Sequence, residues 1–113
     1  MTSGIRRGFV YVVRLDKWRP ALVVSPNVRN ELASDVIVVP GTTRLTEAPT
    51  HVRLRRGEGG LSTASVLKCE QITTLHKEAV KADPLGPPLS SSRMLEVERC
   101  ILRAIGIPVP LRE

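Results

Sequence analysis

The sequence predicts a small, mainly β fold of the α+β class: a β-barrel of about five short strands with one C-terminal helix packed on it. Two patterns indicate this. Runs of β-branched residues of strand length, bounded by Pro, Asn or Gly, recur through the first two thirds of the chain. The last third instead carries apolar residues at helical spacing. With 113 residues, the chain is expected to form one domain, residues 1–113, around a single core.

The first three strands are predicted from β-branched and aromatic runs at 8–16, 20–25 and 35–39. Asp16 and Lys17 form a very short link between the first two strands, and a turn at 26–31 leads toward the third. If the second and third strands pair as antiparallel neighbours, the Arg19 end of one lies beside the Thr42 end of the other. A guanidinium beside hydroxyl groups at a sheet rim is suited to binding a phosphodiester.

The second half of the chain is predicted to alternate between short elements and irregular segments. In order, these are a loop at 42–49, a strand at 51–54, a flexible glycine-rich segment at 56–60, a strand at 66–72 and an irregular proline-containing segment at 81–92. The helix is expected to begin near Ser91 or Ser92, either of which can serve as N-cap, and to end at Gly106.

Composition narrows the class of partner. The formal net charge of +6 and pI near 10.2 favour an acidic partner such as nucleic acid, an acidic protein or an anionic membrane surface. No basic amphipathic helix stands out and no apolar run reaches the roughly 20 residues that cross a bilayer, so a membrane is the least favoured and a cytoplasmic location is expected. Aromatic residues make up 3% of the chain, which argues against a platform that stacks many bases.

The residues that commonly bind metals form no recognisable constellation. Cys69 and Cys100 are far apart in sequence and form no CxxC pair, and His51 and His76 are the only histidines. We therefore expect no metal and no cofactor, two free buried thiols, and histidines that lie at the surface or at an interface without a catalytic role.

An ordered set of short motifs resembles the MazF/PemK ribonuclease toxins and covers nearly the whole chain. The motifs are RPALVVSP at 19–26, VVPGTTR at 38–44, PTHV at 49–52, GEGGL at 57–61, SVLKCEQITTL at 65–75 and SSRMLEVERCILRAIG at 91–106. No single motif is specific, whereas their order and spacing are.

The resemblance implies a fold, an activity and partners. Proteins of this family have a small SH3-like barrel, form homodimers and cut single-stranded RNA at short sequences without a metal. They are the toxin half of toxin–antitoxin pairs and are inhibited by an acidic, partly disordered antitoxin of the MazE type. Metal-free cleavage of this kind uses the 2′-hydroxyl of the substrate as nucleophile and leaves a cyclic phosphate.

The resemblance also implies site residues. Arg19 falls on the catalytic arginine of the family and Thr42 on its catalytic threonine. Arg19 would stabilise charge on the phosphorane, and Thr42 would donate a hydrogen bond or position the nucleophile. A further set is expected to contact RNA: Thr43, Arg44, Glu70, Gln71, Asn30 and Lys68. Asn30 has the alternative role of capping its loop.

Two departures from the family pattern point to a more open and more basic groove. Relatives usually have roughly ten more residues between the first two strands, including an acidic residue that is absent here. Phe9 follows Gly8 where an acidic residue is frequent, and Arg14 stands at another position where an acid is common.

Several other interpretations remain open at this level. Arg19 could be an edge arginine stacked on Trp18, the Thr42–Thr43 pair could be turn residues with self-capping hydroxyls, and Glu70 could pair with Lys68 or Arg44. The chain as a whole could be a non-catalytic toxin like CcdB, which poisons a protein target such as DNA gyrase. It could also be an RNA-binding SH3-like module with a decayed site.

Overall fold

A computed structural model describes residues 4–109 and shows the α+β class that the sequence predicts. The strands and α-helices, in chain order, are β1 (Val10–Arg14), β2 (Trp18–Val23), α1 (Asn27–Leu32), β3 (Asp35–Thr42), β4 (His51–Leu54), β5 (Ser65–Lys68), β6 (Thr73–His76) and α2 (Ser91–Ala104). One-turn 3₁₀ helices lie at Glu58–Gly60, Cys69–Gln71 and Lys77–Ala79. Within residues 4–109, no helix combines the length and the apolar character needed to cross a membrane.

The six strands form one antiparallel sheet with the order β1-β2-β3-β5-β4, and β6 pairs with β3. β1 and β4 are the two ends of this path, so the sheet does not close into a complete barrel. An antiparallel bridge between Val13 and Val80 covers part of the outer edge of β1.

β3 is the longest strand and is longer than predicted. It runs to Thr42 instead of ending at about residue 39. One edge pairs with β2, while the other pairs with β6 near Asp35 and with β5 near Thr42. The register of β3 with β5 differs by three residues from its register with β6. The three residues of the 3₁₀ turn at Cys69–Gln71 account for this difference. The prediction of one continuous strand over 66–72 is therefore wrong, because the chain leaves the ladder after Lys68 and rejoins it at Thr73.

The predicted turn at 26–31 is a short helix, α1. Pro26 stands at its N-cap with a φ of −64°, which suits the entry to a helix, since the missing proline N–H would have no partner there. The buried Asn30 amide donates to the backbone carbonyl of Ser25 at 2.9 Å and closes the segment onto the end of β2. The sequence did not indicate this helix because Pro26 and Asn27 favour turns, and because its apolar residues Val28 and Leu32 are exposed and do not face the core.

The C-terminal helix begins at Ser91, as predicted, but its N-cap lies one residue before the two serines expected for that role. Ser90 is the N-cap, and its hydroxyl accepts the Arg93 N–H at 3.2 Å. Arg93 also forms a bidentate ion pair with Glu58, at 2.8 and 3.0 Å, which ties α2 to the glycine-rich turn. This pair holds the pKa of the Glu58 carboxyl below its usual range, chiefly through the Arg93 hydrogen bonds.

Two apolar clusters lie on opposite faces of the sheet, as the period of two along a strand requires. In β2, Leu22 belongs to the cluster beneath α2, while Ala21 and Val23 belong to the cluster on the other face. Val97 and Cys100 are the buried residues of α2 in the first cluster. The central strands are buried on both sides, which explains why their sequences are continuous apolar runs.

The glycine-rich turn has a strict steric requirement at Gly60. Its φ is +87°, and a Cβ there would lie 2.3 Å from the backbone carbonyl group of Leu85. We expect Gly60→Ala to destabilise the fold by roughly 2–4 kcal/mol, combining the cost of a positive φ with overpacking. Thermal or denaturant unfolding measures the loss.

Gly57→Ala is the matched control for this substitution. Gly57 has a similar φ of +97°, but nothing lies within 4 Å of a Cβ added there. Gly57→Ala should therefore lower the free energy of unfolding only by the cost of a positive φ, about 1–2 kcal/mol. Equal losses in the two variants would show that the contact with Leu85 is not a constraint.

Candidate functional site

A cleft of about 560 Å³ lies beside the first residues of β2 and the last residues of β3 and β5. Its wall is mostly polar and contains four cationic side chains. The lining residues are Leu15, Asp16, Lys17, Arg19, Pro40, Gly41, Thr42, Arg44, Thr46, Lys68, Gln71 and Thr73. The fold therefore brings together Arg19, Thr42, Arg44, Lys68 and Gln71, five of the residues that the sequence singled out.

Arg19 and Thr42 share this cleft because of the register between β2 and β3. Ala21 pairs with Pro40 in the antiparallel ladder, and two further steps in the same register bring Arg19 level with Thr42. Since side chains at facing positions of neighbouring strands point to the same side, the guanidinium and the hydroxyl project from one rim. This is the arrangement expected from the antiparallel pairing.

The Arg19 guanidinium is held by Asp16 and not by an aromatic ring. Its Nη2 lies 2.9 and 3.0 Å from the two carboxylate oxygens of Asp16, while its Nε is buried and finds no hydrogen-bond partner within the described residues. The cations over the Trp18 ring are Arg14 and Lys81, at 5.6 and 5.0 Å from its centroid. Stacking of Arg19 on Trp18, one of the open interpretations, is therefore not what the structure shows.

Asp16 is an acidic residue that the short link itself contributes to the cleft. Desolvation acts to raise the pKa of its carboxyl, but the charge of Arg19 and hydrogen bonds from the Lys17 and Asp16 backbone outweigh it and lower that pKa. The carboxylate is 72% exposed, so a competing anion can reach the guanidinium by displacing it. The sequence comparison with longer relatives missed this role, because it considered only the acid that the longer connection would carry.

The Thr42 hydroxyl is part of the turn that follows β3. Its Oγ1 accepts the backbone N–H of Arg44 at 3.1 Å. The self-capping turn expected as an alternative is thus present, yet it leaves the hydroxyl hydrogen available to a ligand in the cleft. An oxygen that already accepts one bond is oriented to donate to the next acceptor, such as a phosphate oxygen.

Glu70 lies beside the cleft. Its hydrogen-bond partners are Thr50 and His51, and not Lys68 or Arg44 as the open interpretation had it. Thr50 Oγ1 donates to Glu70 Oε1 at 2.8 Å, and His51 Nε2 lies 3.0 Å from Glu70 Oε2. Desolvation acts to raise the pKa of the Glu70 carboxyl, but the His51 and Thr50 hydrogen bonds and the backbone of Glu70 lower it.

His51, expected at the surface or at an interface, is mostly buried within this chain. Its side chain is only 10% exposed, and Nδ1 lies 3.1 Å from Thr46 Oγ1 in the cleft wall. His76 is exposed, as expected. Apart from the PTHV motif, no pattern in the sequence pointed to the contact between Thr46 and His51, since the loop that brings Thr46 back to β4 is irregular.

Besides Glu70, two other predicted RNA contacts fall outside the cleft wall. Asn30 is fully buried and bonds to Ser25, so the structure corrects its assignment to RNA contact in favour of the alternative role of closing its loop. Thr43 is exposed next to Thr42 but does not line the cleft. Cys69 and Cys100 are free and buried, as expected, and burial raises the pKa of the Cys69 thiol to about 12.

The lowered pKa of Glu70 predicts a pH-dependent contribution to stability. A carboxyl whose folded pKa is depressed stabilises the fold above its unfolded pKa, about 4.3, and loses this effect as the pH falls through the folded value. We expect Glu70→Gln to lower the unfolding temperature at about pH 7 and to approach the wild type as the pH falls through the folded pKa of Glu70. Calorimetry across this range, with the fully solvated Glu78→Gln as control, measures the difference. A difference that is constant with pH would contradict the network.

Comparison with known proteins agrees with this fold. Residues 6–105 match the family model described as "PemK-like, MazF-like toxin of type II toxin-antitoxin system". Endoribonuclease MazF from Staphylococcus epidermidis is 32% identical over 113 residues, covering 91% of this chain and 92% of that protein.

Solved structures give the same result. A mycobacterial endoribonuclease in complex with its cognate antitoxin superimposes with a TM-score of 0.81 at 33% identity, over 94% of this chain and 99% of that one. The Mycobacterium tuberculosis toxin MazF-mt6 superimposes with a TM-score of 0.80 at 25% identity, over 88% and 97% of the two chains. The ordered motifs, the sheet topology and these matches agree, and the chain belongs to the PemK-like, MazF-like family of type II toxins.

Proposed function

We propose that this chain is a sequence-specific endoribonuclease toxin that cleaves single-stranded RNA without a metal ion, with residues 1–113 as one toxin domain acting in the cytoplasm. The observation that carries the proposal is the meeting of Arg19 and Thr42 in one polar cleft. The family membership and the name of the staphylococcal relative support the same reaction class.

The cleft has the groups that attack by a 2′-hydroxyl requires. In this reaction the 2′-oxygen forms a bond to phosphorus while the bond from phosphorus to the 5′-oxygen breaks, and charge accumulates on the non-bridging oxygens. The Arg19 guanidinium can meet two of these oxygens, and the free hydrogen of Thr42 can donate to one. Because Arg19 stays protonated, it serves as a charge stabiliser and not as the proton donor.

Further residues of the cleft fit a polyanion. Lys68 and Arg44 line it and can neutralise neighbouring phosphates, and Gln71 can donate to or accept from a base edge. Thr43 stands at its rim. Glu70 is proposed to act on the RNA groove through its neighbours, since its oxygens are already bonded to Thr50 and His51.

Protein partners complete the proposal. We infer a homodimer and inhibition by an acidic antitoxin of the MazE type, since one mycobacterial relative is described in complex with its cognate antitoxin. Exposed apolar side chains support protein contacts on two surfaces, Val28 and Leu32 of α1 and Ile105 and Ile107 after α2. The net charge of +6 favours an acidic inhibitor.

The first test is cleavage of a mixed RNA pool in the presence of EDTA. We expect discrete cut sites with 5′-hydroxyl ends, found by sequencing. Arg19→Ala and Thr42→Val should each lower kcat/KM by about 100-fold or more, because each removes a donor from the charge that develops in the transition state.

Matched controls separate these effects from general loss of charge or shape. Thr42→Ser keeps the hydroxyl and should retain activity. Arg56→Ala removes an exposed arginine that does not line the cleft and should retain activity within about threefold. Intact RNA combined with growth arrest that persists in Arg19→Ala would refute the nuclease and favour a toxin that acts on a protein.

The ion pair between Asp16 and Arg19 predicts competition with RNA. A bound phosphate must displace the Asp16 carboxylate, so Asp16→Asn should bind RNA about three- to tenfold more tightly at low salt. Fluorescence anisotropy with an oligonucleotide that carries 2′-deoxyribose at the cleavage position measures this without turnover.

Glu78→Gln is the control for the change in net charge, since its carboxylate is exposed and lies outside the cleft wall. It should change the affinity by less than about twofold. Weaker binding by Asp16→Asn would show that Asp16 orients Arg19 for RNA instead of competing with it.

A further inference from the structure

Three side chains form a continuous hydrogen-bonded chain that leads from Thr46 in the cleft wall through the mostly buried imidazole of His51 to the partly exposed carboxylate of Glu70. Thr46 Oγ1 lies 3.1 Å from His51 Nδ1, and His51 Nε2 lies 3.0 Å from Glu70 Oε2. Thr46 is exposed and lines the cleft, whereas His51 and Glu70 do not line it. The chain therefore presents one hydroxyl to a ligand, while its imidazole and carboxylate lie outside the cleft.

The chemistry of the partners fixes the direction of the hydrogens. An ionised carboxylate only accepts hydrogen bonds, so the hydrogen on the neutral imidazole sits on Nε2 and points to Glu70. Nδ1 is then an acceptor, and the Thr46 hydroxyl donates to it. The oxygen of Thr46 is left with its lone pairs free, which makes it an acceptor on the cleft wall, whereas Thr42 is placed there as a donor.

Glu70 is itself well placed to hold this arrangement. Thr50 donates to its other oxygen at 2.8 Å, so both oxygens are engaged and the carboxylate is fixed in place. A carboxylate on the far nitrogen orients an imidazole and stabilises the cation that forms when the near nitrogen takes a proton. The Thr–His–Glu order has the same physical logic as other hydroxyl–imidazole–carboxylate relays.

We propose that Thr46, His51 and Glu70 form the proton relay that accepts the proton of the attacking 2′-hydroxyl, an inference that rests on the nuclease function proposed above. The 2′-hydroxyl passes its proton to Thr46 Oγ1 while the Thr46 hydrogen moves to His51 Nδ1. The bond from the 2′-oxygen to phosphorus forms, the bond to the 5′-oxygen breaks, and solvent water protonates the leaving oxygen. His51 then returns its extra proton to solvent through Thr46.

The groups around His51 set how the relay responds to pH. Glu70 faces its Nε2, Lys68 is its partner across the β4–β5 ladder, and Cys100 of α2 lies 3.8 Å from its backbone carbonyl. Arg103 of α2 also reaches this region, where its Nη1 lies 3.5 Å from the Pro49 carbonyl. Only the neutral imidazole has an acceptor at Nδ1, so the relay requires His51 to be neutral and turnover should fall when acid protonates it.

The test compares turnover with binding in three variants. Thr46→Val and His51→Gln should each lower kcat by about 100-fold or more, while affinity for the 2′-deoxy oligonucleotide changes by less than about twofold. Thr46→Ser should retain turnover because it keeps the hydroxyl. The acidic limb of the pH profile of kcat/KM should be lost from the residual activity of His51→Gln.

Controls keep the result specific to the relay. His76→Gln changes an exposed histidine that does not line the cleft and should leave kcat and the pH profile unchanged. Thermal unfolding checks that each variant folds. If His51→Gln does not fold, the turnover of Thr46→Val tests the relay instead. This variant is expected to fold because Thr46 lies in an exposed loop.

The outcomes distinguish the relay from the nuclease function. If the wild type cuts RNA, Arg19→Ala does not, and Thr46→Val and His51→Gln turn over normally, then the relay is wrong while the nuclease stands. Loss of affinity in step with loss of turnover would also overturn the relay, because it would show that the chain only shapes the cleft. If the wild type cuts no RNA, the nuclease fails, and the relay fails with it.

Discussion

The hydrogen bonding of β3 along both of its edges is the constraint on which the rest of the structure depends. Its pairing with β2 sets the register that brings Arg19 level with Thr42. Its other edge is shared by β5 and β6, and the change of register between them produces the turn that carries Glu70 and Gln71. Because backbone groups in a buried strand must be paired, neither edge can slip without turning apolar side chains toward water.

The cleft combines groups with opposite hydrogen-bonding tendencies. Arg19 and Thr42 present donors on one side, and Thr46 presents an acceptor through its bond to His51. A phosphodiester with an adjacent hydroxyl needs both, since its phosphate oxygens accept and its hydroxyl must lose a proton. Asp16 accepts hydrogen bonds from the Arg19 guanidinium in the unbound protein. An RNA phosphate that binds Arg19, as we propose, would compete with this carboxylate for the same donor.

Local pattern predicted the elements whose burial is regular. The strand at 51–54 and the terminal helix were placed within a residue or two, because alternation in one and a stripe of apolar residues in the other reflect contact with a core. α1 was missed because only Asn30 is buried and the residues around it favour turns. The strand at 66–72 was drawn too long, because nothing in Cys69–Glu70–Gln71 differs in polarity from a strand half exposed to solvent. The carboxylate of Asp16 and the imidazole of His51 were not placed either, since their partners lie in irregular loops.

The sequence by itself determined the α+β class, the order of the motifs and the identity of the two residues most directly suited to phosphate, Arg19 and Thr42. These follow from short-range patterns and from an ordered resemblance, both of which a linear chain displays. Only the tertiary structure decided which partner each polar group meets: Asp16 for Arg19, Ser25 for Asn30, and Thr46 and Glu70 for His51. Hydrogen bonds act over about 3 Å, whereas the residues that make them are up to 19 positions apart in the chain, so folding alone brings them within reach.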